Sequence, residues 1–217
     1  MMRLVAHHCR TPHNHPEAPT IERDTVRIRP LIARTYMKFS RWTLSAEPLP
    51  EKVMVIGAPH TSNWDGVFMA LAFWSINREF TFLVKDSVVK VPVFGRFVKW
   101  IGGRAIDRSG AHGVVGQIVE QSNVADKFTI VLTPKGTRSP RDYWKSGFYR
   151  IATGAHLPVQ LGFVDKKTMT FGWGHNITLT GDVRADMEVI REFYADKVGV
   201  NPEMASVPRL HAEDEEA

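Results

Sequence analysis

From Lys52 onward the chain alternates between two hydrophobic periods. The runs VMVIGA, FTFLV, FTIVLTP and LPVQLGFVD are apolar almost throughout and end at Gly, Pro or a charge, which predicts buried strands. RAID and TMTFGWG are shorter strand patterns, the second predicted to pair with NITLTG. Between the strands lie helical patterns. WDGVFMALAFWSI is apolar nearly all round and predicts a buried helix, and PVFGRFVKWIG a helix with a glycine stop. GAHGVVGQIVEQS predicts a helix despite its glycines, and KSGFYRIATGA one ending at Gly154. DMEVIREFYADKVG predicts a C-terminal helix, with Asp186 near its start and Gly199 at its stop. Strands alternating with helices predict an α/β fold: a mixed, largely parallel sheet flanked by helices.

Upstream the pattern changes. Residues 30–45 contain PLIARTYMKFSRWTL, with Pro30 at a plausible first helical position. On a helical projection Arg34, Lys38 and Arg41 form one stripe, and Ile32, Tyr36 and Phe39 lie roughly opposite. Two readings stand: a helix lying in a membrane interface, or a helix packed on the domain with a solvated basic face. Residues 1–29, rich in Pro and His, read as a disordered leader. His7, His8, Cys9, His13 and His15 could ligate a metal on paper, but no core supports them. The expected organisation is a leader over 1–29, an amphipathic helix over 30–45, one catalytic-sized domain over 50–200 and an acidic flexible tail over 201–217.

Charge narrows the partners. The 217 residues carry a formal net charge of +5, and that is net of four carboxylates in the closing EDEEA. A basic body favours an anionic partner: nucleic acid, anionic lipid or a phosphorylated small molecule. Cys9 is the only cysteine, so no internal disulfide forms. No signal-peptide pattern opens the sequence, and no apolar run approaches the ~20 residues of a membrane span.

In parallel sheets, ligands gather beyond the carboxyl ends of the strands. His60, Lys85, Asp107–Arg108 and Lys135–Arg138 each follow a predicted strand, so one rim collects them. His60 and Asp65 stand five positions apart across the junction from VMVIGA into the first helix. A neutral imidazole removes a hydroxyl proton if a carboxylate holds its other N–H and stabilises the imidazolium that forms. The competing reading is local: Thr61, Ser62 or Asn63 caps the helix, Asp65 answers its dipole, and His60 is incidental. No G-x-S-x-G elbow offers a nucleophilic serine, and neither a P-loop nor a dinucleotide fingerprint is present. A metal-assisted phosphoesterase using His60 and Asp65 lacks a further compact His/Asp cluster in the core. IGGRAIDRSG and TPKGTRSP add Arg104, Arg108, Lys135 and Arg138, the last two beside a Gly136 that permits close backbone approach.

Taken together these segments resemble the 1-acylglycerol-3-phosphate acyltransferase family, whose His–x4–Asp motif stands here as HTSNWD. The second family block is similar to KDSVVKVPVFGRFVKWIGGRAIDR, the third, commonly FPEGTRS, to TPKGTRS, and the fourth to ATGAHLPVQLGF. All four occur in the family's order over residues 57–163. The resemblance implies a glycerolipid-acyltransferase-like fold. It also implies transfer of a fatty acyl group from a coenzyme A or acyl carrier protein thioester to a lysophospholipid hydroxyl. His60 would be the general base and Asp65 its orienting partner, with no covalent acyl-enzyme, no metal and no redox cofactor. Lys85, Arg108 and Arg138 would bind the acceptor phosphate, with Gly136 and Thr137 shaping that loop and Arg104 modulating acceptor binding. The partners implied are the thioester donor, the lysophospholipid and the cytoplasmic face of a membrane, rather than nucleic acid. Two positions depart from the pattern: Thr133 replaces Phe, and Lys135 replaces Glu, changing the local charge by two units. That second change makes Lys135 a candidate modulator of the acceptor. It also supports an alternative, a catalytically silent lipid- or phosphate-binding homologue.

Overall fold

The computed structural model describes residues 21–106 and 113–215. The first half runs α1 (Ile21–Phe39), β1 (Thr43–Ala46), β2 (Lys52–Ala58), α2 (Trp64–Ser75), β3 (Thr81–Lys85), the single-turn α3 (Asp86–Val89), α4 (Phe94–Trp100) and β4 (Gly103–Ile106). The second half runs α5 (Gly113–Val124), β5 (Phe128–Leu132), α6 (Gly147–Gly154), β6 (Val159–Asp165), β7 (Thr170–Ile177), α7 (Val183–Tyr194) and a final turn, α8 (Ala212–Glu215). The seven strands of these residues form one sheet in the order β1-β7-β6-β2-β5-β3-β4. Every neighbouring pair is parallel except β6 and β7.

The central strand β2 explains the layering. Its side chains point alternately to the two faces of the sheet, and both faces are covered. Val53 and Val55 enter one core with Ala33 of α1 and Phe68, Leu71 and Phe73 of α2. Met54, Ile56 and Ala58 enter the other with Phe148 and Ile151 of α6 and Met187 and Ile190 of α7. A strand buried on both faces needs an unbroken apolar run, and β6 is buried at all seven positions. On the first face Phe68 gathers the aromatic packing. Its ring centroid lies 4.3 Å from Trp42, 4.9 Å from Phe171 and 6.3 Å from Tyr36, which fastens α1 and α2 over the sheet. Each such ring contributes about 2–3 kcal/mol by leaving water.

Four features differ from the sequence expectation. Helix α1 starts at Ile21 and carries Pro30 inside it, so residues 21–29 are helical and not part of a disordered leader. Proline favours a helix's first turn, which is why residue 30 read as the start. Residues 1–20, with the four histidines and Cys9, lie outside the described residues. The same helix stops at Phe39, and Thr43–Ala46 adds an edge strand parallel to β7. Only Leu44 of that strand is half-buried, so it carries no apolar run to find. Asn176 and Ile177 continue β7, which pairs along its length with β6, so NIT is not a partner strand for TMTFGWG. Finally, residues 201–215 are packed. Leu210 is 1% exposed, its N–H donates to Glu213 Oε1 at 2.7 Å, and Arg191 pairs with Glu213 at 2.6 Å. Two of the acidic residues that suggested a free tail have partners: Arg191 faces Glu213, and Arg209 and Tyr143 face Asp214.

Candidate active site

Strand β2 lies between β5 and β6, and all three run the same way. The loops after them therefore open on one rim. The loop after β2 contains His60, whose backbone is in the left-handed region at φ +42°. That conformation is unusual for a residue with a Cβ. A carboxylate from the first turn of α2 organises the loop. Asp65 Oδ2 accepts from the Thr61 N–H at 2.6 Å and from the Ser62 N–H at 2.9 Å. Asn63, the formal cap residue, makes no side-chain cap bond, while Ser62 Oγ accepts from the Trp64 N–H at 3.2 Å. The cap reading and the pair reading therefore share one carboxylate.

His60 Nδ1 lies 3.4 Å from Asp65 Oδ2, with the two side chains 22% and 12% exposed. This is longer than a formed hydrogen bond, and a shift of about half an ångström closes it. Neither His60 Nδ1 nor Asp65 Oδ1 has a hydrogen-bond partner among the described residues, and both atoms are buried. With Nδ1 turned to the carboxylate, Nε2 is the ring atom left for a reacting group. Such an arrangement can take a proton from a hydroxyl and hold the resulting imidazolium against a carboxylate.

The loop after β5 is the second half of the rim. Gly136 adopts φ +67° and its N–H donates to the Thr133 carbonyl at 2.8 Å, closing a tight turn. A Cβ at Gly136 would lie 2.8 Å from Lys145 Cε, so the Lys145 stem rests on the turn. Thr137 Oγ1 accepts from the Ser139 N–H at 3.3 Å, and the Arg138 side chain is exposed. Lys135 departs from the sequence picture of a solvated basic loop. It is only 3% exposed, and its ammonium donates to the Met204 carbonyl at 2.5 Å and the Arg138 carbonyl at 3.3 Å. Burial lowers its pKa below the ordinary lysine value, and attraction to the Asp65 carboxylate partly opposes that.

The remaining candidates are placed by their strands. Lys85 ends β3, which pairs with β5, and so reaches the same rim. Arg104 lies within β4 opposite Leu83, exposed on the edge strand and short of the rim loop. Arg108 lies outside the described residues. Among the described residues no three His, Cys, Asp or Glu groups are placed to hold a metal ion.

Sequence patterns missed the C-terminal contribution to this rim. The Asn201 N–H donates to Thr61 Oγ1 at 3.1 Å, and its side-chain amide donates to the Thr61 carbonyl at 3.0 Å. A Cβ at Gly199 would lie 2.6 Å from Thr61 Oγ1 and 2.8 Å from Pro59 Cγ. No local motif marks these contacts, since they join residues 140 positions apart. Lys145 was also missed. Its signal was the Trp-Lys-Ser-Gly run shortly after the GTRS turn.

The chain is similar to known acyltransferases in sequence and in fold. A family model described as acyltransferase matches residues 42–165. A 1-acyl-sn-glycerol-3-phosphate acyltransferase of Pseudomonas aeruginosa is 30% identical over 118 residues, covering 52% of this chain and 44% of that protein. One from Streptococcus pneumoniae is 26% identical over 145 residues, covering 61% and 53%. The chain thus spans about half the length of these curated relatives. Among solved structures, the 1-acyl-sn-glycerophosphate (LPA) acyltransferase PlsC of Thermotoga maritima superposes with a TM-score of 0.54. It is 14% identical, and the match covers 82% of this chain and 83% of that one, a likeness of fold.

Proposed function

The chain belongs to the acyltransferase family, and from that premise we propose that it moves a fatty acyl group from an acyl thioester to a hydroxyl of a lysophospholipid such as 1-acylglycerol-3-phosphate. The observation that carries this reading is the His60–Asp65 pair at the carboxyl end of β2, with Nδ1 facing the carboxylate at 3.4 Å. His60 Nε2 accepts the proton of the acceptor hydroxyl as its oxygen attacks the thioester carbonyl. The new C–O ester bond forms, the C–S bond breaks, and the proton passes to the departing thiolate. Asp65 holds the imidazole in one tautomer and stabilises its charged form. No acyl-enzyme is needed. The donor is a coenzyme A or acyl carrier protein thioester.

Arg138 suits the acceptor phosphate, since a guanidinium offers paired donors to it. Gly136 and Thr137 shape its turn, Lys145 flanks it, and Lys85, at the end of β3, and Arg108 are further candidates for the phosphate.

The same reading puts the protein peripherally on a membrane surface. Ile28, Leu31, Ile32 and Phe39 share one side of α1 and are 40–80% exposed, while Ala33 on the other side is fully buried. Arg34 and Lys38 flank the exposed apolar stripe. Tyr36, expected in that stripe, packs instead against Phe68. An apolar stripe edged by basic groups suits the boundary between headgroups and acyl chains. Among the described residues no helix is long and apolar enough to cross a membrane. The reaction is tested by incubating the protein with acyl-CoA, lysophosphatidic acid and anionic vesicles, then weighing the lipid products by mass spectrometry. A product heavier than the acceptor by one acyl group is expected; its absence across a panel of lysolipids and both donor types refutes the reading.

A further inference from the structure

We propose that Lys135 is a positioning residue whose buried ammonium clamps residues 198–206 over the His60–Asp65 loop, making the C-terminal segment a built part of the active site. The inference rests on the acyl-transfer reading for its effect on turnover, but not for the clamp itself.

The segment is tied to the ends of three strands in succession. The Val198 N–H donates to Asp165 Oδ1 at 3.1 Å, at the end of β6. Asn201 makes its two bonds to Thr61, beyond β2. The Met204 carbonyl receives the Lys135 ammonium, beyond β5, and Ser206 Oγ accepts from the Arg141 N–H at 2.8 Å. Thr61 is 2% exposed under this cover, and its own N–H is one of the two that Asp65 Oδ2 holds. The segment thus touches the residue between the base and its carboxylate. Val200 packs against the core, but the Asn201 and Met204 side chains are exposed, so apolar packing does little to hold residues 201–205 down. Polar ties hold that part down: Lys166 Nζ donates to the Val200 carbonyl at 3.2 Å near the start of the segment, and the buried Lys135 ammonium is the charged tie at Met204.

This geometry explains why lysine, and not a carboxylate, suits position 135 here. An ammonium is a donor only, and it meets two carbonyl oxygens. A carboxylate is an acceptor only and would face those oxygens with nothing to share. Lys135→Glu therefore damages the site, although glutamate is common in the motif.

The test is hydrogen exchange over residues 198–206 combined with steady-state kinetics, on the full chain. In Lys135→Met, exchange across that segment is expected to rise about tenfold to hundredfold, from losing the charge-assisted bonds of a buried ammonium. The kcat should fall by about tenfold or more, while KM for the acceptor stays within about twofold. Lys135→Glu should do the same or worse. Asn201→Ala removes the side-chain amide bond to the Thr61 carbonyl at an exposed position, so it should loosen the same segment even if the buried substitutions do not fold. Unchanged exchange in every variant that folds overturns the clamp. So does higher turnover in Lys135→Glu, or a rise in acceptor KM alone, which would make Lys135 an acceptor contact. If the wild-type protein shows no transfer with any lysolipid, the acyl-transfer reading fails, and the exchange data still decide the clamp.

Discussion

Thr61 and Asn201 stand 140 positions apart and share two hydrogen bonds, at 3.1 Å to the Thr61 hydroxyl and 3.0 Å to its carbonyl. Gly199 makes that approach possible, because a Cβ there would lie within 2.8 Å of both Thr61 and Pro59. Gly199→Ala should therefore push either the His60 loop or the C-terminal segment aside. A stability loss of about 1–3 kcal/mol is expected from overpacking, with a larger relative loss of activity. Thermal melts and turnover on the same sample check this; wild-type values for both would show that the contact is dispensable.

Asp65 carries two tasks that different substitutions separate. Asp65→Asn keeps a carbonyl oxygen for the Thr61 and Ser62 N–H groups but removes the charge opposite His60. Asp65→Ala removes both. Activity should fall by about 10²–10⁴-fold in each. Only Asp65→Ala should also lose about 1–3 kcal/mol of stability, for two donors left without their acceptor. Equal melting temperatures for the two variants would argue against the structural task.

The exposed side of α1 should be needed for lipid and not for folding. The double substitution of Leu31→Asp with Phe39→Asp, at positions 64% and 80% exposed, should leave the melting temperature near wild type. Binding to anionic vesicles should drop by about tenfold or more, as two large apolar side chains cease to enter the interface. Unchanged co-sedimentation with vesicles would remove this helix from the membrane reading.

Asp186 supplies a pH dependence of stability far from the rim. Burial alone would raise its pKa, but bonds from the Tyr149 hydroxyl, the Thr180 N–H and hydroxyl and the Gly181 N–H together hold it below the ordinary aspartate value. Burial, and after it the same contact, raise the Tyr149 pKa. Because the folded pKa of Asp186 lies below the unfolded one, its contribution is present above the unfolded value. It fades as pH falls through the folded value. Asp186→Asn should cost about 2 kcal/mol or more near neutrality. The gap to wild type should narrow below about pH 4. Denaturant melts at several pH values check the slope; a gap that widens with acid would contradict it.

The sheet was legible where burial imposes a pattern. β2, β5 and β6 are covered on both faces, so their sequences are apolar runs that few other structures explain. β1 escaped because an exposed edge strand needs no such run. Pro30 misled because its usual place is a helix start, and here the helix continues back to Ile21. The rim could be read for the same reason the strands could: His60 and Lys135 follow runs whose direction and adjacency a parallel α/β fold dictates. What lies over the rim could not. Residues 198–206, VGVNPEMAS, show neither strand nor helix periodicity, and their attachment runs through backbone groups of Thr61, Arg141 and Met204, which carry no sequence signature. Lys135 stood out as a departure from the family motif, but its partner, the Met204 carbonyl, is visible only in the folded chain.

The central claim is that His60 is the base of an acyl transfer, and thiol release from acyl-CoA tests it most directly. Wild-type protein and His60→Ala are compared with lysolipid present and absent, on vesicles, after confirming that both fold. The account predicts acceptor-dependent thiol release by the wild type and a loss of about 10²–10⁴-fold in His60→Ala. Transfer by His60→Ala within about tenfold of wild type would contradict it.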